Sequence, residues 1–370
     1  MAVWKGKGMG KPTRRLAYYI TPHGFGHAVR SLEVIRHLLK ADPGLHVHIV
    51  SDLPDFLVGE NVGAQVPMRR KRLDVGLVQR DSLRFDLPAT LEAVAALCEA
   101  EDALAEEECG FLQEERIDAV VSDVAFIPFL AAARLGIPSI GVGNFTWDWI
   151  YETFAREDER WKPLIAWIRR GYGLCDLFLR LPMHGDCSVF PRIRDVPLIA
   201  RHATRHRDES RGILGVGPHA KVYLVSFATL DLEEASLRRI EKISHATFLT
   251  KRPMQCNLSN GRSLDELSLS YADVVAATDA VITKPGYGIV ADCLAHGTPM
   301  IYTDRGEFPE YPILVREMEK HLTTVFLPSN ELYEGRWESA VSCMEGLPLR
   351  SPALRTDGAY VCARIILSGT

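Results

Sequence analysis

The stretch YYITPHGFGHAVR, at Tyr18–Arg30, joins an apolar strand, a glycine-bearing turn and the start of a helix whose apolar residues recur every three to four positions. A second stretch, DAVITKPGYGIV at Asp279–Val290, has the same order of strand, turn and helix. At such a turn, backbone N–H groups of a helix N-terminus can approach a polar or anionic ligand closely. Two turns of this kind predict two α/β domains with a ligand cleft between them.

Short apolar strands alternate with helical patterns along the rest of the chain, which is typical of parallel, doubly wound sheets. The segment Leu91–Glu115 is rich in alanine and glutamate, and it is predicted to be one long helix. The predicted strands lie at 16–21, 46–51, 119–122, 139–142, 177–181, 221–227, 247–250, 280–283 and 300–303. We therefore predict two Rossmann-like, doubly wound parallel-sheet domains that face a cleft.

A chain of 370 residues is long enough for two domains of ordinary size. The arginine-rich region before Pro218 has few large apolar residues after Ile199, and we interpret it as a solvated linker. Its positive charge could alternatively hold a phosphate or an RNA strand. The predicted parts are a flexible N-terminus at 1–13, a domain at 14–200, a linker at 201–218, a domain at 219–345 and a C-terminal helical segment at 346–370 that packs back on the first domain.

The composition is that of a globular protein, with 47% hydrophobic and 25% charged residues. A formal net charge of −5 gives no general reason to expect nucleic acid or an anionic membrane as a partner. The most apolar stretch, at 119–143, contains Asp123 and Arg134, so we predict no membrane span. The eight cysteines are scattered without a Cys-x-x-Cys pair, which favours reduced thiols in the cytoplasm and no bound metal. The oligomeric state is not indicated.

Two residues follow predicted strands at the edge where parallel sheets bind ligands. His27 starts the first helix, where an imidazole can act as a general base near neutral pH. Asp123 follows another apolar strand and could orient that imidazole. The alternatives are a histidine without catalytic duty at the helix cap and an aspartate that caps the helix near Ile127.

The second turn is a candidate diphosphate site. Glycine permits close approach of the backbone, the helix dipole favours anions and Lys284 adds a positive charge. The turn is neither a Walker motif nor Gly-x-Gly-x-x-Gly, and a simple tight turn stays an alternative. Candidates for ribose and sugar contacts follow it, with solvated surface residues as the alternative interpretation. They are Asp292, Asp304, Arg305 and Glu307.

Polar and aromatic residues follow the strand that ends at Val142. Hydrogen-bonding groups beside indole rings suit a sugar, whose C–H face packs on aromatic surface while its hydroxyls need partners. A structural aromatic cluster would explain the tryptophans equally well. The residues are Asn144, Thr146, Trp147, Asp148 and Trp149.

The motif Gly24-Phe25-Gly26-His27-Ala28-x-Arg30, taken with the segment from Lys284 to Pro299, resembles GT-B glycosyltransferases that use nucleotide sugars. A narrower resemblance is to the glycosyltransferase-like N-terminal region of plant-type L-arabinokinases and their stand-alone bacterial relatives. It is carried by Arg70-Lys71 through Gln79-x-Asp81, Val121–Val124, Asn144–Tyr151 and Gly286-Tyr287-Gly288.

The resemblance implies an N-terminal acceptor domain, a C-terminal domain that holds a nucleotide diphosphate, and a mechanism without metal. It implies that His27 is the base and Asp123 its orienter. The co-substrate would be a nucleotide sugar, with UDP favoured, and the acceptor is unknown. The implied donor turn consists of Lys284, Gly286, Tyr287 and Gly288, and the implied acceptor side of Gly24, Phe25, Gly26, Arg30, Asn144, Trp147 and Asp148.

Two positions depart from the family pattern. Asp292 stands where many relatives carry glutamate, and Phe227-Ala228-Thr229 stands where the first strand of the second domain usually runs into glycine. The kinase half of an arabinokinase is absent from this sequence. The expected function is transfer of a sugar from a nucleoside diphosphate to an acceptor hydroxyl. Hydrolysis or epimerisation of a nucleotide sugar, and binding without catalysis, are the alternatives.

Overall fold

The computed structural model describes residues 14–63, 66–79, 85–252, 258–306 and 308–369. The described residues of 1–78, 86–200 and 355–370 form one compact unit, unit 1, and those of 79–85 and 201–354 form unit 2. Each unit is built on a parallel sheet with helices around it, which confirms the predicted fold class.

The sheet of unit 1 has seven strands in the described residues, in the order β3-β2-β1-β4-β5-β6-β7, and every pairing is parallel. The strands are β1 (Arg15–Ile20), β2 (His46–Val50), β3 (Met68–Arg69), β4 (Ala119–Asp123), β5 (Ser139–Gly143), β6 (Leu177–Arg180) and β7 (Ile193–Asp195). Ile20 is the register partner of Asp123, so the carboxyl ends of β1 and β4 lie side by side. The loops that follow these two central strands therefore meet.

In the described residues up to Tyr172, seven helices accompany these strands, with a 3₁₀ turn at Phe154–Arg156. They are α1 (Phe25–Ala41), α2 (Asp55–Val62), α3 (Leu87–Glu99), α4 (Glu101–Glu114), α5 (Ile127–Leu135), α6 (Trp147–Glu152) and α7 (Trp161–Tyr172). Gly136 ends α5 in a left-handed conformation, with a φ of 66°, as its position after the last apolar residue predicts.

The predicted single helix at Leu91–Glu115 is wrong: the helical path breaks at Ala100 into α3 and α4. Neither glycine nor proline marks this break, so intrinsic propensity favours helix on both sides of it. The two helices pack on different neighbours, α3 on α7 and α4 on α5. Tertiary packing therefore decides where the helix is interrupted.

Unit 2 has six parallel strands in its described residues, in the order β10-β9-β8-β11-β12-β13. The strands are β8 (Lys221–Ser226), β9 (Ala246–Thr250), β10 (Gly261–Ser263), β11 (Ala280–Thr283), β12 (Met300–Tyr302) and β13 (Thr324–Phe326). The helices are α8 (Arg207–Ile213), α9 (Glu234–Ile240), α10 (Tyr271–Ala277), α11 (Tyr287–His296), α12 (Tyr311–His321), α13 (Ser329–Tyr333) and α14 (Glu338–Gly346). One apolar core includes Val225, Ile282 and the fully buried Trp337.

The domain limits differ from the prediction in two places. Residues 201–218, predicted as a linker, belong to unit 2 and contain α8. Arg211 of this helix is buried and donates to the carbonyl of Ala277 at 3.0 Å. The last helix, α15 (Gly358–Ser368), belongs to unit 1 and packs on α1, whereas residues 346–354 belong to unit 2. The segment 1–13, predicted to be flexible, lies outside the described residues.

Candidate functional site

His27 lies in the first turn of α1, directly beyond the carboxyl end of β1. Gly24 precedes the helix with a φ of 84°, a conformation that glycine adopts without strain. The chain can therefore turn sharply from the strand into the helix. Only 7% of the His27 surface is exposed, so the imidazole is nearly enclosed.

Asp123 holds the His27 ring. The distance from Nδ1 of His27 to Oδ1 of Asp123 is 2.8 Å. Because an ionised carboxylate can only accept, this contact places the proton of the neutral ring on Nδ1. Nη2 of Arg30, which can only donate, also lies 2.9 Å from Nδ1, but its shorter bond, at 2.6 Å, goes to Oδ1 of Asp123, and we assign its proton to that bond. The other nitrogen, Nε2, then has the lone pair and can accept a proton. The strand register predicts this meeting, since Asp123 ends β4 beside the end of β1.

A buried cation fixes Asp123 in turn. Nε of Arg30 donates to Oδ2 of Asp123 at 2.7 Å, and its Nη2 donates to Oδ1 at 2.6 Å. Oγ of Ser31 donates to Oδ2 at 2.8 Å. Burial alone would raise the pKa of the Asp123 carboxyl, but the Arg30 guanidinium and His27 hold that pKa well below its usual range. Asp123 is therefore a carboxylate at neutral pH.

Arg30 and Asn144 were predicted on the acceptor side, and the structure joins them to the histidine site. Nη1 of Arg30 donates to Oδ1 of Asn144 at 2.6 Å, and both side chains are buried. Asn144 follows β5, the neighbour of β4 in the sheet. Asn144 thus holds the guanidinium of Arg30, which in turn holds the carboxylate.

Trp147 is part of the core and lies beside the site. Its indole is buried, stacks on Tyr151 with 5.8 Å between ring centroids, and donates from Nε1 to Oδ2 of Asp74 at 2.9 Å. The structural aromatic cluster that the sequence left as an alternative therefore describes Trp147. Asp148 is buried and accepts from Nε of Arg169 at 2.9 Å.

Asp74 is a buried carboxyl that the sequence reasoning missed as a site residue. Burial raises its pKa, and hydrogen bonds from Thr21 and Trp147 oppose that rise, as does the neighbouring His27. Thr21 follows β1, so Asp74 lies at the same edge of the sheet as His27. No local signal marks this residue, although it falls within the segment 70–81 that carries the family resemblance.

The loop that carries Asp74 is fixed against the site. Oη of Tyr151 donates to the carbonyl of Gly76 at 2.7 Å. Gly76 has a φ of 68°, and a Cβ atom there would lie 2.4 Å from Nδ1 of His23. A side chain at position 76 is therefore excluded by both strain and contact.

The remaining residues of the first turn lie nearer to solvent. Phe25 is exposed, and its ring contacts that of Phe56 edge to face with 6.2 Å between centroids. Gly24 is exposed and Gly26 is half-buried. An aromatic pair thus flanks the turn that leads to His27.

In unit 2 the predicted donor turn connects β11 to α11. Gly286 is the residue before the helix, and Tyr287 and Gly288 form its first turn and are buried. Lys284 is half-buried between the strand and the helix. Since Gly286 has no side chain to cap the helix, its N-terminus presents backbone N–H groups and the positive end of the helix dipole beside Lys284.

Asp292 lies inside α11 and is paired with Arg201. Its Oδ1 accepts from the backbone N–H of Arg201 at 3.0 Å, and its Oδ2 accepts from both Nε, at 3.0 Å, and Nη2 of the same arginine. The residue is 1% exposed. In this arrangement both oxygens that were expected to meet ribose are taken by the protein.

The loop after β12 contains the other sugar candidates. Arg305 pairs with Glu310 at 3.0 Å, donates to the carbonyl of Pro285 at 3.3 Å and lies over the ring of Phe308. It therefore ties this loop to the donor turn. Asp304 accepts from the backbone of Ser329 at 3.0 Å. Glu307 lies outside the described residues.

No group of three or more histidine, cysteine, aspartate or glutamate side chains in the described part of the chain is placed to hold a metal ion. Within the same part, each helix is too short or too polar to cross a membrane.

Comparison with known proteins supports the fold and gives one relative. No protein-family model matches the sequence. The L-arabinokinase of Arabidopsis thaliana is 33% identical over 94% of this chain, and the match spans only 34% of that protein. The chain thus corresponds to about a third of the length of this curated relative.

Solved glycosyltransferase structures match both units. The glycotransferase of kitacinnamycin has a TM-score of 0.62 at 18% identity and covers 97% of this chain and 99% of its own. Arabidopsis thaliana UGT89C1, complexed with quercetin, has a TM-score of 0.58 at 14% identity, covering 96% and 94%. The calicheamicin glycosyltransferase CalG4 has a TM-score of 0.57 at 15% identity, covering 96% and 95%. This chain therefore has the GT-B fold of glycosyltransferases, and its sequence is similar to one third of a plant L-arabinokinase.

Proposed function

We propose that this protein transfers a sugar from a nucleoside diphosphate sugar, with UDP favoured, to an acceptor hydroxyl without a metal ion. The observation that carries the proposal is the 2.8 Å contact between His27 and Asp123. It leaves Nε2 of His27 as the proton acceptor, which a general base requires. The aspartate keeps the ring in this tautomer and stabilises the positive charge that forms on it.

In the proposed reaction the acceptor hydroxyl gives its proton to Nε2 of His27 as its oxygen attacks the anomeric carbon. The bond between that carbon and the diphosphate oxygen breaks, and the diphosphate leaves with the electron pair. Lys284 and the N-terminus of α11 would stabilise the charge that develops on it. Arg30 would hold the site in place and take no part in proton transfer, because it is buried and contacts both the Asp123 carboxylate and Nδ1 of His27.

Release of nucleoside diphosphate from a panel of nucleotide sugars, with and without acceptors, tests the proposal. The wild type should release it, and His27→Ala should lose the release. His46→Ala is the matched control, since His46 is exposed at the start of β2, the end opposite to the loops of the site. Full turnover of His27→Ala would remove His27 as the base. Release that does not depend on an acceptor would instead indicate a hydrolase, and conversion of the donor to an isomer would indicate an epimerase.

Binding of a sugar nucleotide without catalysis is a second candidate, favoured by the similarity to an L-arabinokinase and by Phe227-Ala228-Thr229, which stand where relatives usually have a glycine. The first of these residues, Phe227, is buried in the core of unit 2. Calorimetry that detects UDP binding, together with no turnover of any nucleotide sugar, would support this function.

A further inference from the structure

A cavity of about 230 Å³ opens on unit 1 between α6, α7 and the loop after β6. Its lining combines charged side chains with one indole. The residues are Asp148, Trp149, Glu152, Arg169, Asp186 and Ser188, together with one valine. His27 and Asp123 are not among these lining residues, so the cavity is not the site already described.

Asp148 brings an unsatisfied acceptor to this cavity. Its Oδ2 accepts from Nε of Arg169, whereas its Oδ1 is buried and meets no donor in full hydrogen-bond geometry among the described residues. The Thr146 side chain and the Trp149 backbone N–H are nevertheless near enough to oppose the rise in the pKa of Asp148 that burial causes. The whole residue is 4% exposed. Buried polar atoms are nearly always paired in folded proteins, so an unpaired carboxylate oxygen at a cavity wall indicates a ligand that donates a hydrogen bond.

The charge of the lining excludes anionic ligands. Arg169 bridges two carboxylates, with its Nη2 3.0 Å from Oε2 of Glu152 in addition to its bond to Asp148. Asp186 adds a third carboxylate, which accepts from the backbone of Ser188 at 2.8 Å. Three carboxylates against one guanidinium leave the wall negative, so a phosphate or carboxylate would be repelled. A ligand that donates hydrogen bonds from neutral groups fits better.

Trp149 gives the cavity a flat apolar wall in a fixed place. The indole is half-buried, and a Cβ atom added to Gly185 would lie 2.6 Å from three of its ring carbons. Backbone at Gly185 therefore packs directly on the ring and holds it. Trp147, by contrast, is buried in the core, so of the two tryptophans that the sequence offered to a sugar only Trp149 faces this space.

We propose that this cavity binds one neutral sugar ring. Ring hydroxyls would donate to Oδ1 of Asp148 and to Glu152, and a C–H face of the ring would pack on Trp149. The volume is below the range of about 300–1,000 Å³ in which drug-sized ligands bind, which limits the occupant to about one ring. The proposal depends on the chemistry of the cavity alone and not on sugar transfer at His27.

Saturation-transfer NMR of the full chain with neutral pentoses and hexoses, followed by calorimetry for those that bind, tests this site. We expect Asp148→Asn and Trp149→Ala each to weaken binding about tenfold or more, because each removes a main contact. Glu159→Gln is the control, since Glu159 is exposed and pairs only with Lys162 in the described residues. Gly185→Ala should also weaken binding, because the new methyl group must displace the indole.

The absence of binding by every neutral sugar would overturn the proposal, as would preferential binding of tetramethylammonium, a probe for a cation site. Sugar binding that is unchanged in Asp148→Asn and Trp149→Ala would place it elsewhere and overturn it too. Should these variants fold poorly, density for the sugar against Trp149 in a soaked wild-type crystal decides the question, and an empty cavity there counts against the site. These outcomes do not depend on release of nucleoside diphosphate.

The bound sugar could be the acceptor or a separate effector. If it is the acceptor, a new glycoside forms when a donor is added, and if it is an effector the sugar is recovered unchanged. Either result supports a sugar site in this cavity.

Discussion

Nδ1 of His27 lies 2.8 Å from Oδ1 of Asp123, and the same carboxylate oxygen is 2.6 Å from Nη2 of Arg30. One carboxylate oxygen therefore contacts both the histidine and the buried cation, whose nitrogens are 2.9 Å apart. The arrangement separates two roles, because the histidine is the group that can exchange a proton and the arginine maintains the charge that orients it. Substitutions at the two positions should accordingly have different effects.

Replacing His27 with glutamine should remove activity without removing stability. Glutamine has a similar size but cannot accept a proton near neutral pH, so kcat for nucleoside diphosphate release should fall about 10²–10⁴-fold. The melting temperature should stay close to that of the wild type, since the ion pair behind the ring is intact. Steady-state kinetics and a thermal melt check both expectations, with His46→Gln as the control. Wild-type kcat in His27→Gln would contradict the assignment.

Replacing Arg30 with methionine should mainly lower the free energy of unfolding. The change leaves the Asp123 carboxylate buried without its cation, which costs about 3–5 kcal/mol in the free energy of unfolding. Arg238→Met is the control, because Arg238 and its partner Glu234 are both exposed, and such a pair contributes about 0–1 kcal/mol. Urea unfolding measures both. Equal losses of unfolding free energy in the two variants would show that the buried pair contributes no more than an exposed one.

The sequence predicts the meeting of His27 and Asp123 because both follow strands of a parallel sheet, whose carboxyl ends share one edge. It also allows Arg30 to be placed near His27, since residues three apart lie on one face of a helix. The contact between Arg30 and Asn144 was not predicted. It depends on the order of β4 and β5 in the sheet, which local patterns do not fix.

Asp74 and Asp292 also have hydrogen-bond partners that the sequence pattern does not predict. Asp74 reaches the site from a loop, through hydrogen bonds to residues far away in sequence, and no periodicity indicates such contacts. Asp292 was placed at a ribose from its spacing after Gly288, yet Arg201, 91 positions earlier in the chain, holds both of its oxygens. Periodicity thus predicts elements and their ends, whereas the partners of buried charges follow from the assembled fold.

The contributions of Asp74 and Asp123 to stability should depend on pH in opposite directions. The pKa of Asp123 is depressed in the folded protein, so its contribution is present above the unfolded value, about 3.9, and is lost as pH falls through the folded pKa. The pKa of Asp74 is raised, so its contribution is present below about 3.9 and is lost as pH rises through the folded pKa.

Asp74→Asn isolates the second contribution. An asparagine oxygen can still accept from Nε1 of Trp147, and the cost of burying a charge disappears. We expect the variant to be at least as stable as the wild type at pH 7 and to lose this advantage toward pH 3. Unfolding free energies across pH 3–8 give the comparison. A variant that is less stable than the wild type at pH 7 would show that the ionised carboxylate is favoured there.

Lys284→Met should weaken binding of the nucleotide without unfolding unit 2. The lysine is half-buried beside the N-terminus of α11. A hydrogen bond to a charged group contributes about 1.5–3 kcal/mol, so its loss should raise the Kd for UDP about 10–100-fold. The effect should shrink as ionic strength rises, since salt screens the lost charge. Calorimetry with UDP at two salt concentrations measures both. Lys242→Met, at an exposed position of the same unit, is the control, and an equal Kd in the two variants would exclude Lys284 as a diphosphate contact.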